Sequence, residues 1–280
     1  MRTGQAVKSL IGASVGAALL LAATVTPSHA TAVTLTGTGP DGRSASVTFD
    51  TLNFMGTNYL SVRLTNTATY DSRIPTEILT AIFFNLPGNP TLSRTAGISG
   101  AYVTSPDSIK NGPAVGSFLD VGSEWAYKTG LSVGGFSQGI SSIGASTFGP
   151  GDRFITCSNC DLQGPDSPDG VQYGITTDND AAGNDNGGIS GSHLIKNSVI
   201  FLLGNIASGF DPSKSITSVR FQYGTSLSET HFGNGGNGGS GGSGGHTKVP
   251  YPSSLALLGF GAIGAVLVVR RRAVLGLVRG

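Results

Sequence analysis

The run Gly135-Phe136-Ser137-Gln138-Gly139 has the most direct chemical meaning in this 280-residue chain, because Gly-x-Ser-x-Gly can present a serine nucleophile. That use needs a strand before it and a helix after it, so that the hydroxyl stands on a strained, exposed turn. Here Ile140-Ser141-Ser142-Ile143-Gly144 follows, which is a poor helix start, and glycine and serine are common enough in the chain to produce the pattern by chance. His193 and His231 could act as bases, but nothing in the spacing fixes their geometry relative to an acid or to Ser137. His246 sits in or beside a glycine tract, with nothing to orient its ring. We expect no catalytic site.

Asp178, Asp180 and Asp185 form, with Asn179, Asn184 and Asn186, a cluster of oxygen donors among glycines. Calcium takes such ligands on flexible turns, but the spacing is not that of an EF-hand: Ala182 stands at a ligand position and no glutamate closes the loop. The reading preferred is a solvated turn whose Asp and Asn side chains bond their own backbone, with calcium as the alternative cofactor. Trp125, Tyr127 and Phe136 are aromatic enough to stack against a sugar, although core packing is the simpler role for them. Cys157 and Cys160 read as a local loop disulfide rather than a zinc or redox site, because no second ligand pair and no βαβ setting accompany them.

The two ends have their own logic. Arg2 and Lys8 precede an apolar run from Leu10 to Val25 and a small-residue end, Ser28-His29-Ala30, which together make a secretory signal with cleavage by signal peptidase between Ala30 and Thr31. Between Thr31 and Gly245 there are ten Lys and Arg against sixteen Asp and Glu, a net of −6. Such a charge-poor, acidic body has no basic stripe to neutralise phosphates, so nucleic acid is not an expected partner. From His231 a Gly/Ser/Asn-rich tract reads as a flexible spacer. After it come Val249-Pro250-Tyr251-Pro252, a 15-residue apolar segment from Leu255 to Val269, and Arg270-Arg271-Arg272. With Ser253 and Ser254 the segment would reach about 25 Å as a helix, short for a bilayer but usable with snorkelling arginines, which favour the cytoplasmic side.

This three-part C-terminus resembles the PEP-CTERM sorting signal of Gram-negative bacteria, whose members are handled by a membrane protease-transpeptidase, exosortase. Val249-Pro250-Tyr251-Pro252 matches that family's Val-Pro-Glu-Pro, with Tyr251 in place of Glu. Three stretches of the body are also similar to a family of exosortase-dependent surface proteins: Glu124-Trp125-Ala126-Tyr127-Lys128, Tyr173-Gly174-Ile175 and the run from Phe221 to Glu229. The resemblance implies export, a transient stay in the inner membrane, processing by an exosortase-type protease, and a final place at the cell surface or outside the cell. It also implies an association with extracellular polysaccharide, as in a biofilm matrix.

The body must supply the scaffold. Val33 and Leu35, then Ala45, Val47 and Phe49, then Leu60, Val62 and Leu64 alternate with polar residues, the period of half-buried antiparallel strands. Ile78 to Leu86 and Ser198 to Leu203 are more continuously apolar, which makes both candidates for central strands. Ile216 to Tyr223 alternates, with Val219 and Phe221 opposite Arg220 and Gln222. Gly39-Pro40-Asp41-Gly42 and the run from Asn85 to Pro90 mark turns. Gly112 to Leu131 is ambiguous, and Gly130 to Gly151 and Asp161 to Gly191 read as long loops. The expected class is all-β, an antiparallel, jelly-roll-like β-sandwich with an N-terminal signal peptide and a C-terminal transmembrane helix. The expected division is a signal peptide at 1–30, a β-sandwich surface domain at 31–230, a Gly/Ser-rich linker at 231–248 and a sorting segment at 249–280. The function expected is that of a non-enzymatic surface or matrix protein, with a carbohydrate- or calcium-binding module as the alternative.

Overall fold

The computed structural model describes residues 26–27, 32–54, 56–92, 102–105, 109–111, 119–121, 124–143, 171–180, 185–186 and 188–233. In chain order the strands are β1 (Thr26–Pro27), β2 (Val33–Thr38), β3 (Ser44–Phe54), β4 (Thr57–Asn66), β5 (Leu79–Phe84), β6 (Tyr102–Ser105), β7 (Ile109–Lys110) and β8 (Leu119–Asp120). They continue with β9 (Ala126–Val133), β10 (Phe136–Ser141), β11 (Ile175–Thr176), β12 (Leu194–Lys196), β13 (Ser198–Gly204), β14 (Val219–Tyr223) and β15 (His231–Gly233). The single α-helix among the described residues, α1 (Pro212–Ser215), is one turn long and is capped by Asp211, which accepts from the Ser213 N–H. The chain is therefore all-β, as its alternation requires.

The strands form two sheets. In the seven-stranded sheet the order is β1-β3-β4-β13-β6-β8, and β2 pairs with β3 alongside β1. In the eight-stranded sheet β15, β14 and β5 are neighbours. The other edge of β5 is shared: Ala81 to Phe84 pair with β10, and Leu79 pairs with β11, which leads on to β12 and β7. All pairings are antiparallel except β11 with β12, which is parallel. Between β12 and β13 the chain crosses from one sheet to the other through one residue, Asn197. Its φ of 70° lies in the left-handed region that asparagine tolerates better than other side chains.

One apolar cluster draws on both sheets. Val47, Phe49, Leu60, Val62 and Phe201 from the first meet Ile82, Phe84, Phe221 and Tyr223 from the second, all fully buried. Phe49 and Phe84 meet edge to face at 5.2 Å, as do Trp125 and Phe201 at 5.0 Å. Strand β5 is buried on both faces, because Ala81 and Phe83 join a second cluster with Ala126, Leu131, Val133 and Phe136. That double burial is why its sequence is apolar but for Thr80, whose hydroxyl donates to Gly224 O at 2.6 Å.

Several expectations are corrected. The stretch from Gly130, expected as a loop, is the β9–β10 hairpin up to Ser141, turned at Gly134 and Gly135 with φ of 56° and 87°. Positive φ at both central positions is the two-residue turn that matches strand twist, and only glycine adopts it freely there. The linker expected from His231 begins later, since His231–Gly233 is strand β15 and Phe232 is buried against Phe221 and Tyr223. Gln222, expected on a polar face, is fully buried: the segment after β14 folds over it, and its amide donates to Ser226 O at 2.8 Å. Within the stretch expected as a loop at 161–191, Ile175–Thr176 is strand β11.

Candidate functional site

The most unusual chemistry in the described residues is an ionic cluster inside the protein. Lys110 closes the two-residue strand β7, opposite Leu194 of β12. Its Nζ lies 2.7 Å from Asp185 Oδ1 and 3.0 Å from Asp180 Oδ2. The three side chains are 5%, 6% and 0% exposed, so these charges meet out of water.

The topology explains how residues so distant in sequence converge. Strand β12 stands between β7 and β11, and the chain leaving β11 turns at once through Thr177, Asp178 and Asn179 to Asp180. That turn docks on the segment leaving β4: Asn179 Nδ2 donates to Thr69 O at 3.2 Å, and Thr177 Oγ1 donates to Tyr70 O. Asn186 N–H donates to Arg73 O at 3.0 Å from the far side of the loop. The same docking brings the Asp71 carboxyl near enough to Asp180 to raise its pKa.

Burial pushes the Asp180 carboxyl above the ordinary carboxylate range, and the nearby Asp71 carboxyl pushes the same way, while Lys110 and Thr176 oppose them. For Lys110, burial pulls the ammonium down, but hydrogen bonds and charge from Asp185 and Asp180 outweigh it and hold the proton more firmly than in water. Removing one member of such a buried pair strands the other's charge, a loss of about 3–5 kcal/mol in comparable cases.

The solvated turn expected at 178–186 thus holds for Asp178, Asn179 and Asn186, which are exposed, and Asn186 Oδ1 accepts from the Gly188 N–H at 2.9 Å. Asp180 and Asp185 are buried around an ammonium. No three His, Cys, Asp or Glu side chains gather to hold a metal ion among the described residues. Sequence reasoning named both carboxylates but missed Lys110 and Asp71, and no local pattern marks either of them.

The remaining candidates are dispersed. Ser137 lies on β10 of the hairpin, not on a strand-to-helix turn, and its hydroxyl donates to Asn85 Oδ1 at 2.9 Å. His193 Nδ1 is 3.1 Å from the Tyr173 hydroxyl, with the two rings edge to face. His231 Nδ1 is 2.9 Å from Glu229 O. Trp125, Tyr127 and Phe136 are all buried, so they offer no stacking face to a sugar. Trp125 Nε1 donates to Tyr173 O at 3.1 Å, and the Tyr127 hydroxyl donates to Gln138 Oε1. Ala30 and Thr31, Cys157 and Cys160, His246, Val249 to Pro252 and Arg270 to Arg272 lie outside the described residues. Among the described residues no helix is long and apolar enough to cross a membrane.

The chain matches no family model, no curated protein and no solved structure.

Proposed function

We propose that this is an exported, non-enzymatic protein of the bacterial cell surface or extracellular matrix, handled by signal peptidase at its N-terminus and by an exosortase-type membrane protease at its C-terminus. The observation that carries the reading is the presence of two export signals in one chain: a basic, apolar, small-residue leader at 1–30, and Val249-Pro250-Tyr251-Pro252 with an apolar segment and Arg270 to Arg272. The body between them is all-β and supports a structural role. Its Gly-x-Ser-x-Gly run is built into a hairpin and its central aromatics into the core. The apolar cluster common to both sheets supports a two-layer, jelly-roll-like sandwich. An association with exopolysaccharide in a biofilm follows from the resemblance of the tail.

Intact-mass measurement of the protein recovered from envelope fractions of its native host tests this. A species starting at Thr31, ending near Pro250 to Pro252 and found outside the inner membrane is expected. A species that keeps Leu255 to Gly280 and stays in the inner membrane rules out sorting, and one that keeps residues 1–30 rules out cleavage by signal peptidase.

A further inference from the structure

We propose that Lys110 and Asp180 become joined by an intramolecular isopeptide bond, with Asp185 moving the protons. The inference concerns the body alone and does not rest on the reading of the two ends.

Geometry comes first. The Lys110 nitrogen sits 3.0 Å from Asp180 Oδ2, so a small side-chain movement brings it to the carboxyl carbon, at the about 3–3.5 Å from which bonds form. Two groups held this way react as if each were at an effective concentration of up to about 10⁵–10⁸ M. The third group needed is present too, since Asp185 Oδ1 is 2.7 Å from the same nitrogen and can take a proton from it.

Attack needs a neutral amine and a protonated carboxyl. Burial pushes Asp180 towards its acid form, whereas Lys110 enters as an ammonium, so Asp185 must take its proton before attack. Asp180 is the better acyl donor of the two carboxyls, being fully buried and, with a further carboxyl, Asp71, nearby, pushed towards its acid form. Asp185, at the shorter contact, is the better proton acceptor.

The step balances. Lys110 passes one proton to Asp185, and the freed amine lone pair attacks Asp180 Cγ, forming the C–N bond. The C–O bond to the Asp180 hydroxyl breaks as Asp185 returns that proton to it, and the second nitrogen proton passes to Asp185. One ammonium and one carboxylic acid become one secondary amide, one water and one proton. No oxidant, metal or cofactor takes part.

The bond would lie where a staple acts. Strand β7 is a two-residue edge strand, and Asp180 sits on a turn, so few backbone hydrogen bonds hold either in place. A covalent link between them restricts the unfolded chain much as a disulfide does.

Mass spectrometry of the full-length protein after reduction of any disulfide decides the matter. The expected mass is that of the chain less one water. In a tryptic digest, fragment 95–128 should appear uncut at Lys110 and joined to fragment 154–196, which carries Asp180. Cys157 and Cys160 both lie in the second fragment, so no disulfide between them mimics the join. Lys110→Arg should restore the full mass, and Asp185→Asn should leave most of the chain unlinked while circular dichroism still reports the β-fold. A wild-type chain at full mass with ordinary cleavage after Lys110, or a link that fragmentation places on a residue other than Asp180, overturns the proposal.

Discussion

Asn66 Oδ1 and Tyr223 Oη lie 3.0 Å apart inside the protein, although 157 positions separate the two residues in sequence. The Tyr223 hydroxyl is also within donating distance of Ser44 O, at 2.9 Å, and Asn66 directs its amide N–H to Ile175 O at 3.0 Å. Four strands, β3, β4, β11 and β14, are thus tied at one buried polar point, and these strands belong to both sheets. A buried polar node of this kind fixes how the sheets sit on one another, because its partners are satisfied in one arrangement only.

Removing the hydroxyl should therefore weaken this node by about one hydrogen bond. Tyr223→Phe leaves the ring packing against Phe232 intact but strips Ser44 O of a donor inside the protein. Ser44 O keeps the Thr67 N–H at 2.9 Å and Asn66 Oδ1 keeps the Ala68 N–H at 3.2 Å, so the expected loss is that of one buried hydrogen bond, about 0.5–1.5 kcal/mol. Urea denaturation reads it as a lower midpoint with an unchanged slope.

The end of the body gives a second expectation. Phe232 is buried on β15, and its ring lies so close to Gly39 that a methyl group there would overlap it. Phe232→Ala should cost about 3–5 kcal/mol, as for other large aromatics removed from a core. A chain ending at Gly233 should melt with the full-length protein, and one ending at Thr230 should melt well below it. Equal melting of the two truncations would mean that β15 adds nothing.

Much of this was legible before any coordinates. Val33, Val47, Phe49, Leu60 and Val62 face the core as their period of two requires, and the largely apolar runs at β5 and β13 are interior strands of their sheets. What escaped the sequence depends on contacts that no local pattern encodes. Gln222 looked solvent-facing because nothing in Val219 to Tyr223 reveals that the next seven residues fold back over it. The β9–β10 hairpin resembled a loop because its glycines hid the alternation of Leu131 and Val133. Lys110 and Asp185 lie 75 positions apart, and only the pairing of β7 with β12 brings them together.

The Gly-x-Ser-x-Gly run yields a contrast between neighbours. Asn85 accepts from both the backbone N–H and the hydroxyl of Ser137, each at 2.9 Å, and donates to Gly135 O at 3.1 Å. Asn85→Ala should destabilise by about 1 kcal/mol or more, since three bonds across the β9–β10 turn depend on it. Ser137→Ala removes one exposed bond and should fall within about 0.5 kcal/mol of wild type. Thermal melts of the two variants side by side check the order, and a larger loss at Ser137 would assign the hydroxyl a role that these contacts do not explain.

Alkaline stability follows from the buried phenols. Burial pushes the Tyr223 hydroxyl well above the ordinary tyrosine range, and Tyr70 is displaced the same way by burial, with Arg43 opposing. In the unfolded chain both would ionise near pH 10. Above that pH the unfolded state has released protons that the folded state still holds, so stability must fall as pH rises. The contribution is complete below about pH 10 and is lost progressively above it, towards the raised folded-state values. Urea midpoints at a series of pH values from about 8 to 11 should therefore be flat at first and then decline, as far as the phenols set them. In Tyr223→Phe the decline should be shallower, because one of the phenols raised by burial no longer titrates. An equal slope in the variant would place the alkaline sensitivity on other groups.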